Sequence, residues 1–195
     1  MYLYLRFNRG IYTIKFIILV LISLSLATSV KAAHITFYAS NLNDQQSIIL
    51  TQSKWQQFSS TAGKFTVSLP GKPIEESETD EDGSVANNFT VVDGETVYLV
   101  TYSDLVEEVN QVAPEEIFDA VCEGYTADGD RLVNKREVEL DGYPGRVVEL
   151  NTTDGMVGKA SMYLVKNRLY QLIVFSPSKE EGEKFFESFH IRGKE

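Results

Sequence analysis

The chain contains very little cysteine and histidine, with one cysteine and two histidines in 195 residues. A single cysteine cannot form a disulfide within the chain, which excludes a fold stabilised by internal disulfides. The sequence also contains no C-x-x-C, H-E-x-x-H, G-x-S-x-G, G-x-G-x-x-G or P-loop motif. Because these spacings bring together metal ligands, nucleophiles or phosphate-binding amides, their absence argues against hydrolase, redox and nucleotide-binding functions.

Long apolar runs are also scarce, and the main one is an 11-residue stretch from Phe16 to Leu26. It is too short to cross about 30 Å of hydrocarbon comfortably. Three basic residues precede or border it: Arg6, Arg9 and Lys15. Val30 and Ala32 then stand at the −3 and −1 positions of a cleavage site. Residues 1–32 are therefore predicted to be a secretory signal peptide, with a retained membrane anchor as the alternative.

Basic residues are outnumbered, with 18 Lys and Arg against 28 Asp and Glu and a net charge of −10. The predicted signal peptide carries four of the basic residues and no acidic one, so its removal leaves 14 against 28, a net charge of −14. Such a surface repels nucleic-acid phosphates and anionic lipid. We expect no nucleic-acid binding and no direct membrane binding, whereas cationic partners and metal ions are compatible with this charge.

The remaining residues, 43% apolar in the chain as a whole, are sufficient for one globular domain. Residues 33–54 are predicted to be a flexible lead-in and residues 55–195 the domain. Alternating apolar and polar positions between turn residues predict strands. These strands cover residues 55–58, 64–69, 85–92, 95–103, 131–140, 146–151, 156–165 and 168–176. Asp93-Gly94 is predicted to form a type I′ hairpin turn.

Two helices complete the predicted domain. The first covers residues 114–127 and begins with Pro114, which suits a first helical position. The second begins at Ser178, with Glu181 completing a capping box. The predicted fold class is α+β, with a mainly antiparallel sheet of about six to seven strands packed with two helices. The strand from Leu169 to Phe175 is apolar on both faces and is expected to be central.

Several short motifs resemble the PsbP-like family of small exported bacterial proteins, which is common in cyanobacteria. The similarity covers roughly Trp55 to Ile191. The motifs are Trp55-x-x-Phe58, Gly63-x-Phe65-x-Val67-x-Leu69-Pro70-Gly71-x-Pro73, Leu140-Asp-Gly-Tyr-Pro-Gly-Arg146, Asn167-Arg168-Leu-Tyr170 and Phe185-Phe186-x-Ser188-Phe189. The resemblance implies the PsbP-like sandwich fold.

PsbP is a lumenal extrinsic subunit of photosystem II that helps to retain calcium and chloride, and its relatives include assembly factors. The resemblance implies a non-enzymatic accessory protein that binds subunits of a complex, with photosystem II as one such complex. It also implies export to the periplasm or thylakoid lumen, with membrane association only through a partner. None of PsbP's ion-handling residues matches this chain, so no binding site is carried over.

An acidic stretch from Glu75 to Asp82 is the densest charge cluster. Glu78, Asp80 and Asp82 match positions 1, 3 and 5 of an EF-hand loop, but Phe89 stands where the bidentate glutamate belongs. The stretch is predicted to be a solvated loop. Weak binding of calcium or manganese by these three carboxylates is the alternative function.

A Tyr143-Pro-Gly-Arg146 segment allows two interpretations. As a rigid turn it would present Tyr143 and Arg146, residue types that dominate protein interfaces, to a partner. Alternatively it is ordinary turn chemistry, with Arg146 paired to a nearby acid.

The remaining reactive side chains are predicted to be structural or solvated. Cys122 lies on the apolar side of the first helix as a buried hydrophobe. His34 lies in the lead-in, and His190 caps the end of the second helix. Carboxylate pairs that converge only in three dimensions leave a dispersed-site enzyme as the third functional class.

Overall fold

The computed structural model describes residues 55–79, 85–106 and 111–193. The predicted signal peptide over residues 1–32 and the predicted lead-in over residues 33–54 lie outside this range. So do Asp80, Asp82 and His34.

The described chain forms two antiparallel sheets. In the smaller sheet β1 (Gln56–Ser60), β2 (Phe65–Leu69) and β10 (His190–Ile191) lie in the order β1-β2-β10. The larger sheet has seven strands: β3 (Ile74–Thr79), β4 (Val85–Asp93), β5 (Thr96–Asp104), β6 (Arg131–Leu140), β7 (Tyr143–Asn151), β8 (Val157–Val165) and β9 (Arg168–Ser176). Their order is β3-β4-β5-β9-β8-β7-β6, and every pairing is antiparallel. The predicted α+β class with a mainly antiparallel sheet is confirmed.

A helix covers one face of the seven-stranded sheet. Helix α1 (Pro114–Tyr125) begins with Pro114, and Glu115 and Glu116 suit the positive end of its dipole. Its buried face packs on β7, β8 and β9 to form the helix-side core, whose members include Ile117, Phe118, Val121, Cys122, Tyr125, Val148, Met162 and Ile173. The predicted apolar stripe of this helix is confirmed.

The smaller sheet and helix α2 (Glu183–Glu187) cover the opposite face. They enclose an aromatic core whose members include Phe65, Phe89, Tyr98, Tyr102, Tyr170, Phe185 and Phe189. Strand β9 contributes to both cores, with Ile173 on the helix side and Tyr170 on the aromatic side. It is the fourth of seven strands, so its predicted central position is confirmed.

Several local predictions were wrong. The hairpin between β4 and β5 has Gly94 and Glu95 as its loop, with φ 60° at Gly94, whereas Asp93 ends β4. One glycine at the first loop position therefore makes the turn, as in type II′ hairpins. The acidic stretch is not a loop from residue 75, because residues 74–79 pair with β4. Strand β7 begins at Tyr143 rather than Arg146.

The capping box predicted at Ser178 was also wrong. Helix α2 begins at Glu183 after Gly182, without a side-chain cap, and the Ser178 hydroxyl instead accepts a hydrogen bond from the Glu180 amide. Burial of Phe185 in the aromatic core, rather than a local cap, fixes where this short helix lies. Neither helix of the described residues has the length and apolar character required to span a membrane.

Candidate functional site

A groove lined by basic side chains opens at one end of the molecule. It has a volume of about 360 Å³ and lies where the β1–β2 turn, the β8–β9 turn and the end of β10 meet. Its lining residues are Ser60, Thr61, Lys64, Lys166, Arg192 and Gly193. We call this feature the basic groove. A smaller depression of about 140 Å³ adjoins it and extends to Asp104, Tyr143 and Arg168.

Hydrogen bonds hold the β1–β2 turn, which supplies Lys64, in a fixed position. Three successive carbonyl oxygens of this turn accept bonds from distant parts of the chain. Arg168 Nη1 donates to Ala62 O at 2.8 Å, Tyr170 Oη to Gly63 O at 2.7 Å, and the Arg192 amide to Lys64 O at 2.7 Å. Because the turn is held before any ligand arrives, binding there costs little ordering entropy.

Two lysines of the groove have left-handed backbone conformations. Lys64 has φ 53° and Lys166 has φ 56°; Asp141 is the third non-glycine residue with positive φ in the part of the chain that the structure describes. A side chain in this region costs of order 1–3 kcal/mol. Glycine would adopt these angles more easily, so the lysines occupy turn positions that local backbone preference does not explain.

Arg168 lies beside the groove, but its positive charge is already paired with Asp104. Its Nε and Nη2 atoms donate to the two carboxylate oxygens of Asp104 at 2.6 and 2.7 Å. The guanidinium also lies over the ring of Tyr102, 4.7 Å from its centre. This hydrogen-bonded contact with Arg168 lowers the pKa of Asp104 below its ordinary value.

The cations that line the groove have no carboxylate within ion-pair distance in the described ranges. Arg192 donates through Nη1 to the neutral Ser59 hydroxyl at 2.7 Å. Lys64 and Lys166 are exposed. The groove therefore concentrates positive charge in an acidic protein, which suits an anionic ligand such as a carboxylate.

Sequence reasoning missed the groove because its cations come from three separated segments around residues 64, 166 and 192. One signal was present: residues 166 and 167 separate two predicted strands, so Lys166 was expected at a turn, although not beside Lys64 and Arg192.

The segment containing Tyr143 and Arg146 does not form the presenting turn that one prediction described. Tyr143 is half-buried and borders the depression beside the groove. Arg146 is 3% exposed, with Nη1 2.6 Å from Asp119 and Nε 2.8 Å from Glu137. The turn itself is formed by residues 141 and 142. Arg146 lies further along β7, where it is buried against helix α1, with its guanidinium 5.5 Å from the centre of the Phe118 ring. The alternative interpretation, in which Arg146 pairs with a nearby acid, matches this geometry.

Glu78 lies on β3 opposite Ala86, whereas the other two carboxylates of the predicted metal site fall outside the described residues. Within residues 55–79, 85–106 and 111–193, no group of three or more His, Cys, Asp or Glu side chains is arranged to hold a metal ion.

Cys122 is buried, and desolvation raises the pKa of its thiol. His190 is exposed in β10 opposite Thr66, so it is part of a strand and not a helix cap.

Comparisons with known proteins concern the fold. No family model matches the chain, and no curated protein matches it. Among solved structures, the chain is similar to cyanobacterial PsbP (CyanoP) from Synechocystis sp. PCC 6803, with 14% identity and a TM-score of 0.49 over 77% of this chain and 98% of that chain. It is also similar to PA94, a protein of unknown function from Pseudomonas aeruginosa, with 8% identity and a TM-score of 0.36 over 63% of this chain and 82% of that chain. A PsbP structure thus stands among the structural neighbours, as the resemblance in the sequence motifs indicated.

Proposed function

We propose that the chain is a non-enzymatic accessory protein that docks on a partner protein by binding an acidic segment of that partner in the basic groove. The observation that carries this proposal is the convergence of Lys64, Lys166 and Arg192 on one open groove in a chain of net charge −10.

Charge complementarity explains why the groove selects its ligand. The net negative charge of the chain repels an acidic segment at a distance, so a group of cations without ion-pair partners is the favoured point of contact. Opposite charges placed in this way fix the orientation of two docking proteins more than they add to raw affinity.

The groove suits binding better than catalysis. Its lining combines lysine, arginine, glycine and two hydroxyl side chains, without a histidine or carboxylate placed to activate a nucleophile. The hydroxyl of Ser60 accepts a hydrogen bond from the Gly63 amide at 2.9 Å and so serves the turn.

The motif resemblance to the PsbP family makes subunits of photosystem II the first partners to test, in the thylakoid lumen or periplasm. Weak calcium or manganese binding by Glu78, Asp80 and Asp82 is a separate proposal, tested by repeating the capture experiment with calcium and with chelator.

The test is capture of the tagged protein from its native membranes, comparing the wild-type chain with Lys64→Glu/Lys166→Glu. We expect defined subunits to co-purify with the wild type and to dissociate at about 0.5 M salt, because exposed charges are screened at that ionic strength. The charge reversal should reduce recovery by about tenfold or more, since it replaces attraction by repulsion at the contact.

Lys72→Glu/Lys179→Glu is the matched control, because it reverses two exposed lysines as the groove variant does, in the segments after β2 and β9, at the far ends of those strands from the β1–β2 and β8–β9 turns. Lys166→Gly supplies a second variant that removes one groove charge and also relieves a positive φ, so it should fold at least as well as the wild type. Equal recovery with the wild type and the groove variants would contradict docking through the groove.

A further inference from the structure

One edge of the seven-stranded sheet is formed by β3, which pairs only with β4 among the described strands. Five of its six residues are exposed. A strand at such an edge directs alternate amide and carbonyl groups outward, where they can pair with an added strand.

The opposite edge, β6, carries features that discourage strand addition. Its register shifts between Leu132 and Asn134, and it mixes positive and negative side chains, including Lys135 and Glu139. A bulge interrupts the ladder that an added strand would extend, and it is one ordinary means by which proteins protect a sheet edge. In contrast, β3 pairs with β4 in unbroken register from Ile74 to Thr79.

The side chains of β3 have one sign of charge and flank exposed apolar surface. Glu75 projects from one face of the sheet, and Glu76 and Glu78 project from the other, since strand residues alternate. Ile74 lies opposite Thr90, so it shares its face with Val92, two residues further along β4. Ile74 is 65% exposed and Val92 57% exposed, which places an apolar contact beside the glutamates.

We propose that the outer edge of β3 binds an extended segment of a partner protein, rich in lysine and alternating with apolar residues, as an eighth strand of the sheet. Backbone pairing supplies the binding energy, and the glutamates on both faces select a cationic strand. A second copy of this chain does not fit, because β3 beside β3 would bring six glutamates together. This surface differs from the basic groove, and the proposal stands independently of it.

The test uses the full chain and the peptide acetyl-Lys-Val-Lys-Val-Lys-Val-Lys-amide, followed by NMR and isothermal titration calorimetry. We expect saturable shifts at the amides of residues 74–79 and affinity that falls as salt is added. Two N-methylated peptides, methylated at odd or at even residues, distinguish strand addition from simple charge attraction. Only the peptide whose methyl groups block the amides that face β3 should fail to bind. The amides of the alternate residues point away from β3, so methylating them should leave binding intact.

Glu76→Lys should weaken binding of the lysine peptide by about tenfold, and the matching Glu-Val peptide should bind neither the wild type nor this variant, because Glu75 and Glu78 remain on β3. Glu139→Lys on β6 is the control, and this variant should bind the lysine peptide and the Glu-Val peptide as the wild type does. The proposal is overturned if both methylated peptides bind equally, if shifts appear away from β3, if no binding is seen at millimolar peptide, or if the chain dimerises through β3.

Discussion

Gly145 lies in β7 directly beneath the ring of Tyr163 on the neighbouring strand. A Cβ atom at this position would approach the Met162 carbonyl oxygen to 2.7 Å and press on the tyrosine ring. This close approach, rather than an unusual backbone conformation, requires a glycine here, because φ at Gly145 is not positive. Its neighbour Pro144 is the second residue of β7 and lies opposite Glu139.

We predict that Gly145→Ala lowers the free energy of unfolding by about 1–3 kcal/mol, as other overpacking substitutions do. Urea denaturation measures this change. Gly71→Ala is the matched control, because a Cβ there would meet only Val91, at an ordinary 3.5 Å. Equal stability of the two variants would show that Tyr163 moves aside at no cost.

At the scale of elements, one ion pair joins the end of β5 to the start of β9. Asp104 and Arg168 are directly opposite in the strand register, and Arg168 extends the connection to the β1–β2 turn through Ala62 O. The pair therefore links the two sheets beside the basic groove.

We predict that this connection is lost in acid. Because hydrogen bonding to Arg168 holds the pKa of Asp104 below 3.8, its ordinary value, the carboxylate stabilises the fold above that pH. The contribution disappears as the pH falls through the lower pKa of the folded state. The stability difference between the wild type and Asp104→Asn, measured by urea unfolding, should therefore be largest near pH 6 and shrink as the pH is lowered below 3.8. A constant difference across this range would contradict the assignment.

At the scale of the whole molecule, the two cores share the strands β5 and β9. The chain's one tryptophan lies on one side of the larger sheet, and its one cysteine lies on the other. Trp55 packs edge-on against Tyr98 at the aromatic core, with ring centres 5.5 Å apart. Cys122 lies in the helix-side core.

We predict that both cores unfold together, because loss of either removes a packed face from the central strands. Tryptophan fluorescence and pulse alkylation of Cys122, followed across one urea series, should give the same midpoint. Earlier exposure of the thiol would show that α1 detaches separately. The measurement has an internal control in far-ultraviolet circular dichroism, which follows the strands of both sheets.

The sequence by itself determined most of the described elements. Helix α1, the strands β4 to β9 and the central position of β9 follow from periodicity and turn residues, which are local properties. Strand β3 was missed because its glutamates are typical of a loop, and only pairing with β4 makes it a strand. The start of α2 was missed because burial of Phe185 outweighed the capping pattern at Ser178.

Only the tertiary structure decided where charge converges. Lys64, Lys166 and Arg192 are separated by up to 128 positions in sequence, and only the packing of the two sheets brings these residues to one groove. The same folding buries Arg146 between Asp119 and Glu137, although its motif was also compatible with an exposed contact. Local pattern determines whether a segment is strand, helix or turn, whereas side-chain proximity depends on packing between segments that the pattern does not encode.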